Sequence, residues 1–460
     1  MAGSARGEEI PIESLDQCLQ WAQSGAKPRD SFKIGTEFER IAVGPDGLPL
    51  PYEGVASIRS LLQGLADQFS WTPFLEHGRP IALARDGASV SLEPAGQFEL
   101  SGAVLATVDE FRQELTSHLR ETAAIADPLG IRFAWVGLNP LQTAHQTPQM
   151  PKGRYAIMRD WMPRVGHHGL DMMHLTCTVQ TNLDYESDAD AAELLRAGHL
   201  LSPVFLGLFA NSPWRHGKDT GMATYRGHLW RDVDPARCDT RKLAFERGTT
   251  LADHVAWTLD VPMYFLSGTA ADGSVSYQGL DGKTTFRDFW ERGIDGRRPT
   301  LADWEVHVST VFPDVRLKKW VEIRQADVVP PAALPALPAL CKGLLYDLPA
   351  RRAAMALLGD GDALIDREAL RQAACQHGLA GVSGGLSVRE LASACLDLAR
   401  QGLERLARTS GTDHNAASAL DILSEIARGD RPEFWQVTRQ RLLAGGASLL
   451  SVADPALPPS

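Results

Sequence analysis

Cysteine is sparse and unpatterned in this chain of 460 residues: six, at 18, 177, 238, 341, 375 and 395, with no Cys-x-x-Cys pair. Neither a zinc site nor a dense disulfide framework is expected, and buried or idle thiols are the default. Basic charge is short as well. The 46 Lys and Arg stand against 57 Asp and Glu, a formal net charge of −11, which argues against nucleic acid or an anionic membrane as the main partner and leaves room only for a locally positive pocket. Long apolar runs are missing: the longest stretch, residues 200–210, is interrupted by Ser202, Pro203 and Gly207, so no membrane span is expected. The first ten residues have no apolar core of the secretory kind, and a soluble cytoplasmic protein is the expectation. Several catalytic signatures are incomplete. Gly282-Lys-Thr284 has Tyr277 where a phosphate loop needs glycine. Gly378–Gly385 lacks the dinucleotide spacing, His167-His168 has no further zinc ligands at suitable spacing, and no Gly-x-Ser-x-Gly elbow occurs.

What the chain does contain is apolar material for a core, at 44% of residues with 11 tryptophans, and three short glutamate signatures. Glu37 and Glu39 stand in Lys33-Ile-Gly-Thr-Glu-Phe-Glu-Arg40, Glu93 and Glu99 in Leu92-Glu-Pro-Ala-Gly-Gln-Phe-Glu-Leu100, and Glu322 in Trp320-Val-Glu-Ile-Arg324. Residues i and i+2 of a strand share a face, so Glu37 projects with Glu39 and Glu322 with Arg324. One such pair is commonly the wet side of an ordinary antiparallel strand. Three, each with apolar neighbours, point to a hard divalent cation, which takes oxygen ligands and is often shared with substrate phosphates.

The pattern of elements predicts an α+β fold with an antiparallel sheet, since strands and helices mix without regular alternation. Helices are expected over 14–24 and 57–69, and after the capping box Thr107-Val-Asp-Glu110. Strands are expected over 33–43, on either side of Pro94-Ala-Gly96, and over 175–183, where Gln180 sits. Residues 330–338, with four prolines, read as an irregular connector. Beyond it the spacing is mostly helical, including a helix opened by Ser387-Val-Arg-Glu390.

With these signatures, the blocks Met150-Pro-Lys-Gly-Arg-Tyr155, Gly169-Leu-Asp-Met-Met173, Thr176-Cys-Thr-Val-Gln180, Phe209-Ala-Asn-Ser-Pro213, Asp260-Val-Pro-Met-Tyr-Phe265 and Phe312-Pro-Asp-Val-Arg-Leu-Lys318 make a stretch from about residue 30 to 347 that resembles glutamate–cysteine ligase of the plant and proteobacterial type. The resemblance implies a glutamine synthetase-like fold: a curved antiparallel sheet with outer helices and a helical C-terminal part. On this basis residues 1–30 are a helical lead, 31–329 the catalytic domain, 330–450 a helical region packed on it, and 451–460 a flexible tail. It also implies the reaction, in which ATP and Mg2+ phosphorylate the γ-carboxylate of L-glutamate and the amine of L-cysteine displaces phosphate, the first step of glutathione synthesis. By residue matching, Glu37, Glu39, Glu93, Glu99, Gln180 and Glu322 are the metal ligands and Arg324, with Glu322, serves the transferring phosphoryl group. Arg154 and Arg226 hold substrate carboxylates, and Tyr155 and Tyr264 line the cysteine pocket.

Two departures stand out. The strand end commonly written Glu-Met-Arg-Gly-Ala-Asp-Gly-Gly is Glu322-Ile-Arg-Gln-Ala-Asp-Val-Val329 here, and Pro-Gly-Gly is Pro94-Ala-Gly96. Because glycine allows backbone conformations and close approaches that larger residues do not, a ligase of the same mechanism with another amine acceptor stays open. So does a non-catalytic sensor of glutamate or nucleotide, against which the retained glutamates and Arg324 argue. Oligomeric state is not legible.

Overall fold

The computed structural model describes residues 9–246, 248–269, 275–359 and 367–453. Its centre is a nine-stranded sheet in which every pairing is antiparallel. The strands are β1 (Ile34–Val43), β2 (Thr72–Glu76), β3 (Arg79–Arg85), β4 (Ala88–Leu92), β5 (Gln97–Ser101), β6 (Arg132–Ala134), β7 (Val179–Leu183) and the hairpin formed by Val315–Leu317 and Val321–Ile323. The hairpin pairs with β7, β7 with β1, and the sheet continues through β5, β4 and β3 to β2, while β6 pairs with β1 beyond the end of β7.

Register decides what each face carries. Glu37 lies between Gln180 and Ser101, Glu39 opposite Glu99, Glu99 opposite Ser91, and Glu322 between Asn182 and Arg316. With a side-chain period of two, all of these share one polar face. The intervening residues, including Phe38, Phe98, Leu100, Val179 and Ile323, form the other face and are buried. Helix Val108–Ala126 covers that apolar side: His118 packs edge-on to Phe38 and stacks near Phe98. Its start carries the expected capping box, Thr107 with Glu110. Helix Asp188–Leu200 packs on the hairpin, and Gly198 is needed for that approach because a Cβ there would meet Ile323 and Val315 at 2.8 and 2.9 Å.

Three expectations change. The connector 330–338 is irregular only at first, since helix Ala336–Cys341 starts within it. Pro335 is its N-cap and Pro338 falls in its first turn, where the backbone N–H groups have no intrahelical partner and proline costs little. The strand expected over 175–183 is regular only from Val179, preceded by isolated bridges at Thr176 and Thr178. Of the flexible tail expected over 451–460, the first residues are held: Val452 accepts from the Trp135 amide and Ala453 bridges Ala134, and residues 454–460 lie outside the described residues. Gly378–Gly385 forms a short 3-10 turn and a tight ladder, with Gly384 and Gly385 at φ 57° and 80°. The six cysteines are all free and buried, and no described helix is long and apolar enough to cross a membrane.

Candidate active site

The glutamates reach the polar face by ordinary strand chemistry. Phe38 and Phe98 between them are driven into the apolar face, which fixes the register and turns Glu37, Glu39 and Glu99 to the other side. Glu93 ends β4. Its turn closes with Gly96 donating to the Glu93 carbonyl (2.8 Å) and Glu93 to that of Gln97 (2.9 Å). Gly96 is at φ 84° whereas Ala95 is not in the left-handed region, so the turn needs its second glycine and tolerates alanine at the first.

Glu37, Glu39, Glu93 and Glu99 line one cavity of about 130 Å3 with Arg154, Gln180, Arg316, Lys318 and Arg324. A second cavity, of about 100 Å3, opens from it across Glu39, Glu93, Arg154 and Arg324 and is walled by Tyr155, Met158, Met172, Met173, Arg226 and Trp230. A third, of about 360 Å3, adjoins at Glu37 and Ser101 and is bounded by Lys33, Gly35, Gly102, Lys319 and Trp320. A larger cavity, about 980 Å3 among Glu193, Arg196, His254 and Arg352, contains none of the expected site residues. Pocket size does not locate this chemistry; the carboxylates do.

The hydrogen bonds hold the face in place. Asn182 donates to Glu37 (2.7 Å), the Thr178 amide to Glu39 (2.9 Å), Ser91 to Glu99 (2.8 Å) and the Tyr155 hydroxyl to Glu93 (3.4 Å). Burial pushes the Glu39 carboxyl well above the usual range, and the charges of Glu99 and Glu93 push it further. Burial, then Glu93 and Glu37, push Glu99 up to about 7. Glu322 is different. Arg316 grips it with two nitrogens (2.6 and 3.0 Å), Arg324 donates to it (2.8 Å) and Lys318 lies at 3.3 Å. Burial alone would raise Glu322, but Arg316, Lys318 and Arg324 outweigh it and hold the carboxyl well below the usual range.

Arg324 also donates to the Gln180 side-chain oxygen (2.6 Å). Among the described residues no three His, Cys, Asp or Glu side chains converge tightly enough to hold an ion as they stand. The donor set nevertheless suits Mg2+, being all carboxylate and amide oxygen, and the repulsion that raises Glu39 and Glu99 is what a bound cation relieves.

Arg154 and Tyr155 stand at the cleft, with the guanidinium 5.3 Å from the Tyr155 ring centre. Arg226 reaches it too, but two of its nitrogens donate to the backbone carbonyls of Arg324 (3.0 Å) and Gln325 (3.1 Å), which braces the strand end that carries Arg324. Tyr264 lines none of these three cavities. Its hydroxyl points to Met162 Sδ (3.4 Å) and Asp234 (3.5 Å), and Arg237 lies 3.5 Å over its ring; the tyrosine packs in the core, as its dual character allows. The altered strand end also turns inward. Gln325, Val328 and Val329 are buried, none has positive φ, and the Gln325 amide donates to Gly198 O (3.2 Å), so these residues fill space behind the site.

Sequence reasoning missed Arg316, Lys318 and Lys152. The first two follow the i, i+2 rule within Val315-Arg-Leu-Lys318, and pairing that segment with Glu322 across a hairpin would have found them. Lys152 is buried behind Glu93 and donates to Leu92 O (2.8 Å); burial and then Arg154 pull its amine down to about 8.

Residues 33–446 match the model of glutamate-cysteine ligase family 2. The chain belongs to that family. It is 41% identical over 399 residues to the chloroplastic glutamate–cysteine ligase of Medicago truncatula, covering 86% of this chain and 76% of the relative. The chloroplastic ligase of Arabidopsis thaliana is 39% identical over 417 residues, covering 90% and 77%. The chain is an enzyme of this ligase type. A solved glutamate–cysteine ligase of Francisella tularensis, in complex with AMP, is 11% identical with a TM-score of 0.52 over 92% of this chain and 86% of that one, which shows the glutamine synthetase-like fold. These relatives overturn the cytoplasmic expectation, because the plant ligases are chloroplastic. That expectation stood on a missing apolar leader, and plastid transit segments are amphipathic and rich in Arg and Ser rather than apolar.

Proposed function

We propose that the chain joins the γ-carboxylate of L-glutamate to the amine of L-cysteine at the expense of ATP, making γ-glutamylcysteine. The observation that carries the reading is the gathering of Glu37, Glu39, Glu93 and Glu99 in one cleft with Arg154 and Arg324 at its sides. A glutamate γ-oxygen attacks the γ-phosphorus of ATP and ADP leaves. The cysteine amine then attacks the acyl carbon, phosphate leaves, and the nitrogen loses a proton. Phosphoryl transfer asks chiefly for positioning and positive charge. Mg2+ held by the four glutamates, Gln180 and Glu322 would neutralise phosphate charge there. Arg324, protonated at any working pH and planar, meets the transferring phosphoryl oxygens; Arg226 keeps its strand end in place. Arg154 holds an amino-acid carboxylate, and Tyr155 with Met158, Met172 and Met173 forms a small, soft wall for the acceptor side chain. The cavity of Lys33 and Trp320 takes the nucleoside end.

The inward-facing Gln325, Val328 and Val329 remove the main reason for expecting another acceptor. Incubating the protein with ATP, Mg2+, glutamate and a panel of amines, and weighing the products, tests the reading. γ-Glutamylcysteine is the product expected. Glutamate-dependent ATP use that ignores cysteine and rises with another amine would overturn the acceptor assignment, and no ATP use with any amine would favour a sensor.

A further inference from the structure

We propose that Lys318 binds the polyphosphate of ATP directly, whereas Arg316, two residues before it, is a clamp with four of its five N–H donors already spent on Glu322 and two backbone carbonyls; the inference rests on the ligase reading above. Every nitrogen of the Arg316 guanidinium is occupied. Nε and Nη2 donate to Glu322, and Nη1 donates to the carbonyls of Ser309 (3.3 Å) and Val311 (3.1 Å). Lys318 makes one long bond, 3.3 Å to Glu322 Oε1, so two of its three N–H donors remain. Its ammonium lies 5.1 Å from the Trp320 ring centre. The chain turns sharply at this point, the Lys318 amide donating to Trp320 O at 2.8 Å.

Position gives the lysine its role. Lys318 lines the cavity of the four glutamates, and the next residues of its turn, Lys319 and Trp320, line the adjoining 360 Å3 cavity that meets the first at Glu37 and Ser101. A nucleotide with its base in the larger cavity and its terminal phosphate at Arg324 must pass its phosphates along this turn. A flexible ammonium is suited to a group that arrives and leaves as a point charge, while a fixed fork is suited to holding a carboxylate.

The test compares Lys318→Met, Lys318→Arg and the unaltered protein by calorimetric titration with ADP in the presence of Mg2+, together with KM for ATP and for glutamate. Removing a charge-assisted hydrogen bond to the phosphates weakens binding by roughly tenfold to a hundredfold, so Lys318→Met is expected to show that loss for ADP and a matching rise in KM for ATP, with KM for glutamate unchanged within about twofold. Lys318→Arg, which keeps a donor, is expected to recover most of it. If Lys318→Met binds ADP as the unaltered protein does, the inference is wrong and the ligase reading stands. If the variant loses ATP and glutamate together and Lys318→Arg does not rescue, the lysine only supports Glu322 and the inference is again wrong. Failure of the unaltered protein to bind ADP would remove both.

Discussion

Glu39 and Glu322 sit on one face of one sheet with only β7 between their strands, and both are shielded from solvent, at 9% and 0% exposure. Their charge states are nevertheless pushed in opposite directions. Glu322 has Arg316, Lys318 and Arg324 around it, whose attraction exceeds the cost of its burial. Glu39 has Glu99 and Glu93 for neighbours and, on the relieving side, Arg226 and the Thr178 amide, which do not suffice. The same residue type in the same kind of strand is thus an anchored anion in one place and an open demand for a cation in the other. The difference lies in what the facing strands supply, because desolvation acts on both alike.

The strongest way to break the comparison is to remove charge at both ends. Glu37→Gln, Glu39→Gln and Glu322→Gln should each lower turnover by about a thousandfold or more while leaving a folded protein, since each takes charge from the proposed Mg2+ cage and the electrostatic contribution at such sites is of that order. Normal turnover at ordinary Mg2+ in all three would end the metal-cage proposal. Next in size is the effect on stability without metal. In chelator, Glu322→Gln should cost about 3–5 kcal/mol in denaturant unfolding, because three buried or half-buried cations lose their shared partner. Glu99→Gln should cost little or even stabilise, because it relieves repulsion. Equal losses in the two variants would show that the two ends do not differ as described.

The arginines come third. Arg154→Lys should raise KM for an amino-acid substrate by about tenfold through loss of the bidentate fork. Arg226→Lys should lower kcat more than it raises KM, because its bonds go to the carbonyls behind Arg324; a pure KM effect would return Arg226 to the role of a substrate grip. The smallest effect is expected at Tyr264. Tyr264→Phe should stay within about twofold of the unaltered kcat/KM for cysteine, in keeping with a packed tyrosine whose hydroxyl faces away from the cleft, and a selective loss for cysteine would show that the residue reaches the substrate after all.

The glutamates were legible because a strand's period of two converts spacing directly into a shared face, and because Phe38 and Phe98 mark the opposite face. Arg316 and Lys318 were not, since the strand that carries Arg316 is three residues long and its turn, Lys318-Lys-Trp320, has no Gly, Pro or Asn to announce it. Tyr264 was placed in the cleft by resemblance, yet no sequence pattern separates a tyrosine that lines a cavity from one that packs under an arginine. The glycine replacements looked hazardous in sequence because backbone angles are invisible there. With Gln325, Val328 and Val329 in ordinary conformations, the hazard was of packing alone, and burial behind the site answers it.

A relay of hydrogen bonds that begins far along the chain has a consequence for the timing of biosynthesis. Thr438, on helix Phe434–Ala444, donates to the Asn211 side chain (2.6 Å); the Asn211 amide donates to Asp327 (2.8 Å); and Asp327 faces Arg226, which holds the backbone at Arg324. Glu37, Glu39, Glu93 and Glu99 find their hydrogen-bond partners within the first 182 residues, at Asn182, Thr178, Tyr155 and Ser91, whereas the brace behind Arg324 also draws on helix Phe434–Ala444. A chain still emerging from the ribosome therefore carries the acidic face without a finished catalyst, and proteolysis that strips this helix should silence the enzyme without touching a residue of the cleft.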